Sequence, residues 1–138
     1  MKTRLVRREA DGVVVVESAG VEVRAIDRLS RGGSAQPVPE PGASFDGSIS
    51  YQLDPNHEPR VLPADTHRQP LLRTTSGCAA EAVGQILSID SESSDRRVMV
   101  ALVDCGGFVL PSPIDVADPA LIGRRVEFTV SELEVWRA

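Results

Sequence analysis

Four side chains of this chain are of the types that ligate metals or attack carbonyl carbon: His57, His67, Cys78 and Cys105. Their spacing limits what they can do together. The intervals contain neither CxxC nor HxxxH, the close pair with which a zinc site usually begins. No metal and no other cofactor is therefore expected. Cys78 follows Ser76-Gly77, and a helix starting there would hold its thiol at the positive end of the helix dipole, where the thiolate is favoured. His67, eleven residues upstream, would be the base of a Cys/His nucleophile pair. Nothing in the spacing obliges the two to meet, and a small buried residue beside a helix cap is the plainer role for a free cysteine. Asp104-Cys105-Gly106-Gly107 follows an apolar run and could set a carboxylate at a strand end. Turn chemistry explains the same four residues, because Asp accepts backbone N–H groups and glycine permits positive φ. No GxGxxG, P-loop, GxSxG or HExxH pattern is present.

The binding residues to examine lie in and beside Asp54–Thr75, a proline-rich segment with both histidines. A loop of that length in a compact domain is usually functional or disordered. Tyr51, just before it, could stack on a base. Arg60, Arg68 and Arg73, with His57 and His67, supply charge and hydrogen-bond donors. Together they make the candidate binding set Tyr51, His57, Arg60, His67, Arg68 and Arg73. Single-stranded nucleic acid is disfavoured as their ligand. The net charge is -5, and aromatic residues are only 4% of the chain, so a basic groove with exposed rings is hard to assemble.

Composition sets the remaining bounds. At 138 residues, with 41% hydrophobic and 25% charged, the chain has the make-up of one ordinary globular domain whose core is aliphatic. Residues 1–31 carry seven basic groups against five acidic ones, so the rest of the chain must be acidic. Lys2 is the only lysine, which points to an Arg-biased, GC-rich bacterial coding sequence. The first residues are charged, and the longest aliphatic run, Val13 to Val16, is far too short to cross a bilayer. Two cysteines are too few for a disulfide framework. A cytoplasmic protein with no membrane association is expected.

The elements that must position these residues read as mainly β, a small OB-like or related β-barrel with an N-terminal β-meander and one or two short helical turns. The meander comprises Leu5 to Ala10, Val13 to Ser18 and Val21 to Leu29. Asp11-Gly12 is a strong two-residue hairpin signal and Ala19-Gly20 a weaker one. Ser30 to Ala43, which includes a single Arg31-Gly32-Gly33 unit, reads as a linker. Ser44 to Leu53 is a further strand, and Asp54 to Thr75 is irregular. Ala79, Ala82, Val83, Ile86 and Leu87 fall at helical spacing, so a short helical turn ending near Gly84 is predicted, followed by a strand.

A hairpin across 91–95 then leads into Val98 to Val103, followed by Phe108 to Leu110. A helical turn starts at Asp118-Pro119 and stops at Gly123. The last strands are Arg125 to Val130 and Leu133 to Trp136, with a bulge near Ser131-Glu132 to reconcile their opposite parity. The chain reads as a single domain, 1–138, made of a meander plus strand (1–53), a loop (54–75) and an OB-like barrel portion (76–138). A faint echo links VEVRAIDRL at 21–29 with VEFTVSELEVW at 126–136, which two strands in similar environments would produce without duplication.

This acidic, small, motif-free profile leads to the expectation of a noncatalytic protein-interaction or adaptor module, of immunity or inhibitor type. It would bind a protein partner through 54–75 or by strand addition at a sheet edge. Single-stranded nucleic-acid binding is the second expectation, and an enzyme using Cys78 and His67 the third.

Overall fold

The computed structural model describes residues 1–31, 37–90, 100–114 and 118–138. Its first three strands, β1 (Lys2–Arg8), β2 (Val13–Ser18) and β3 (Val21–Asp27), form an antiparallel meander rich in β-branched residues. Val14 and Val16 face the core opposite Ala25 and Val23. Val15 points the other way, opposite Arg24, yet is also buried, lying between Arg7 and Arg24 with Thr74 beside it. The aliphatic stems of the two arginines cover it while their heads reach water.

The two turns divide the work differently from the sequence signals. Ala19-Gly20 is the two-residue turn, closing Ser18 against Val21 with φ of 51° and 82°. Asp11 and Gly12 also have positive φ, but they belong to a three-residue 3-10 turn, Ala10–Gly12, closed by Glu9 N–H to Val13 O at 2.8 Å. A bulge between Leu5 and Arg7 alters the register on β1 and places Arg8 opposite Val14.

Seven more strands follow: β4 (Ser44–Leu53), β5 (Arg60–Val61), β6 (Leu71–Thr74), β7 (Ala80–Asp90), β8 (Val100–Asp104), β9 (Val109–Pro111) and β10 (Arg125–Arg137). They join the meander in one 10-stranded sheet of order β3-β2-β1-β4-β10-β7-β8-β9, with β5 added to β10 and β6 to β7. The protein is mainly β. Its helical content among the described residues is two 3-10 turns, one of them Pro119–Leu121, where the Asp118 carboxylate accepts Ala120 N–H at 2.9 Å as the Asp-Pro signal predicts.

The long β10 organises the rest. Its first part, Arg125 to Val130, pairs with β7, and its last part, Glu132 to Arg137, pairs with β4. Val126, Phe128 and Val130 are buried, then the parity switches and Leu133 and Val135 are buried instead. Ser131, at the switch, has no partner in either ladder, so one irregular strand stands where two were predicted. β10 also runs parallel to β3 through Glu134 opposite Ile26 and Val135 opposite Asp27, which brings the two echoing segments side by side. The pairings β1–β2–β3–β10–β4–β1 thereby return on themselves, with strands from residues 2–53 and the end of β10.

Two sequence expectations are corrected. Residues 54–75 are not wholly irregular, since they contain β5 and β6. The helical turn ending near Gly84 is absent, because Ala80 to Asp90 is a strand joined to β6 through a turn in which Ala79 N–H reaches Ser76 O and Thr75 N–H reaches Ala79 O. Ala80, Ala82, Gly84 and Ile86 alternate along one face of that strand, and Val83 is buried on the other, so the apolar residues also matched helical spacing. The 91–95 turn, residues 98–99 and most of the Arg31-Gly32-Gly33 unit lie outside the described residues.

The Asp104–Gly107 turn holds the two ends of the sheet together. The Asp104 carboxylate accepts Gly106 N–H at 3.0 Å, Cys105 is fully buried, and Gly107 O accepts from Ser18 Oγ at 2.6 Å. The β8–β9 turn thus packs directly on the β2–β3 turn. Gly107 permits this contact: its φ is 133°, and a Cβ would stand 2.7 Å from Ser18 O.

Candidate interaction surface

The segment 54–75 leaves β4, pairs briefly with β10 as β5, and then crosses the sheet end to pair with β7 as β6. Three interactions hold it to the start of β10. Leu62 N–H donates to Arg125 O at 2.8 Å, the Arg124 guanidinium donates to Leu62 O at 2.7 Å, and Arg125 Nε donates to Arg68 O at 3.1 Å. Arg60 and Arg68 are thereby brought to one carboxylate, Glu127. Arg60 approaches Oε1 at 3.5 Å and Arg68 binds Oε2. Arg73 pairs with Glu81 on the same outer face of β6, β7 and β10. Between Arg68, Glu127 and Glu81 runs a groove of about 200 Å³ whose floor includes Leu71, Val83 and Thr129.

Arg60, Arg68 and Arg73 of the predicted set therefore share one surface. Arg125 belongs with them and was missed, because only the crossing of the chain over the sheet end brings it beside Arg68. On this face four guanidiniums meet two carboxylates. The outer face of the meander is different. There Arg4 pairs with Glu17, and Arg7 and Arg24 share Glu9, with Glu22 nearby. Hydrogen bonds from Arg24 and then Arg7 hold the Glu9 carboxyl below its ordinary range, and the Glu17 bond raises Arg4.

Tyr51 lies elsewhere. Its ring packs on Phe128, centroids 5.4 Å apart, and its hydroxyl donates to Pro111 O, so it bridges β4 to β9. Burial raises its pKa. A ring committed to that contact is not a free stacking platform beside Arg60 and Arg68. His57 closes the turn after β4, with Nδ1 3.0 Å from Asp54 Oδ2. The Asn56 backbone N–H, followed by His57, holds the Asp54 carboxyl low. His67 is exposed next to Arg68.

Cys78 and His67 are not brought together. Cys78 O accepts Leu133 N–H, whereas Arg68 is fastened to Arg125 and Glu127. At about 3.3 Å per residue of strand, those positions on β10 are on the order of 20 Å apart. Cys78 lies in a turn before a strand, not at a helix N-terminus, and burial, followed by Glu132, raises its thiol pKa. Burial pushes the Cys105 thiol up to about 12. Among the described residues no group of three or more His, Cys, Asp and Glu side chains could hold a metal ion, and no helix is long and apolar enough to cross a membrane.

One further surface is open. Beyond Ile86, which pairs with Arg124 and Gly123, the edge of β7 facing away from β8 has no partner among the described residues, and the large apolar side chains Leu87 and Ile122 beside it are exposed. No family model, curated protein or solved structure matches this chain.

Proposed function

We propose that this chain is a noncatalytic interaction module that binds a protein partner through the segment 54–75 where it crosses the sheet. The gathering of Arg60, Arg68 and Arg73 with Arg125 on one outer face carries this reading. Immobilised charges on a rigid sheet, fed by a long connection, are a common way to build a recognition surface. The β7 edge beyond Ile86, which has no partner among the described residues, offers such a partner a second point of attachment by strand addition. An immunity-type or inhibitor-type role in a bacterial cytoplasm belongs to the same reading. The OB-like or related small barrel of this reading is formed by 76–138, with the N-terminal meander completing or extending its sheet.

The single-stranded nucleic-acid reading shares the arginines but lacks its stacking ring, since Tyr51 is engaged with Phe128 and Pro111. The test is retention of partners from lysate of the native organism on immobilised full chain, with and without nuclease. A protein retained after nuclease supports the module. Retention that disappears with nuclease, or no retained protein at all, overturns it.

A further inference from the structure

We draw no further inference here: the strongest candidate, the edge of β7 beyond Ile86 where the Leu87 side chain is exposed, has no partner among the described residues, and nothing in the structure shows what covers it.

Discussion

Replacing Gly107 with alanine should be the most damaging single-methyl change that can be made at the seam between the two turns. The residue has φ of 133°, and an added Cβ would stand 2.7 Å from Ser18 O and 3.2 Å from the Ala19 Cβ. Holding an L-residue in so sparsely populated a backbone region costs about 1 to 3 kcal/mol. Forcing a methyl into a packed contact costs about 1 to 3 kcal/mol more. The combined loss of about 2 to 6 kcal/mol is a large fraction of the 5 to 15 kcal/mol or so typical of a domain. Gly12→Ala is the matched control: φ is 72° and nothing lies within 4 Å, so only the backbone term of about 1 to 2 kcal/mol applies.

Urea unfolding followed by the fluorescence of Trp136, the single tryptophan, reads both. Should Gly107→Ala not fold, Ser18→Ala tests the same seam more gently, because it removes the hydroxyl that reaches Gly107 O and Lys2 O. The reasoning is refuted if Gly107→Ala is no less stable than Gly12→Ala, since the contact with Ser18 would then contribute nothing.

Three other outcomes follow from the same structure. Ala19 is a non-glycine residue at φ 51° in an exposed turn, so Ala19→Gly should raise stability by about 0.5 to 1 kcal/mol, read as a higher urea midpoint at unchanged m. Tyr51→Phe keeps the ring on Phe128 but loses the bond to Pro111 O. It should cost about 1 kcal/mol and speed amide exchange in β9 more than in β1. Cys105 has a folded pKa of about 12 against about 8.5 when unfolded. Its contribution is therefore complete below the unfolded value and is lost as pH rises toward the folded one. Wild type should lose about 2 kcal/mol between pH 8.5 and pH 10, and Cys105→Ala should show a clearly shallower decline. An identical decline in both would remove Cys105 as the cause.

Local signals were legible because they depend on a few neighbouring residues. The meander, the turn at Asp118-Pro119 and the parity switch at Ser131 follow from β-branched runs, Gly and Pro punctuation and period-two alternation, each of which acts within a handful of residues. The misreading of 76–84 arose where local evidence is degenerate. Apolar residues there satisfied helical and strand spacing alike, and the decision fell to β6 and β10, which supply backbone partners on both sides of β7.

The candidate surface shows the same boundary. Arg60, Arg68 and Arg73 could be chosen from the sequence because they cluster in one segment, but their partners Glu127 and Glu81, and their neighbour Arg125, lie far along the chain. For Tyr51 the boundary is complementary: ring chemistry is visible in the sequence, whereas the carbonyl of Pro111, which engages its hydroxyl, is 60 residues away. Composition and short-range pattern thus determined that this protein is mainly β, aliphatic in its core and without a recognisable catalytic motif. Strand order, the shared carboxylate at Glu127 and the clamp of Gly107 on Ser18 were decided only by tertiary structure, because each depends on pairing between strands distant in sequence, which no local pattern encodes.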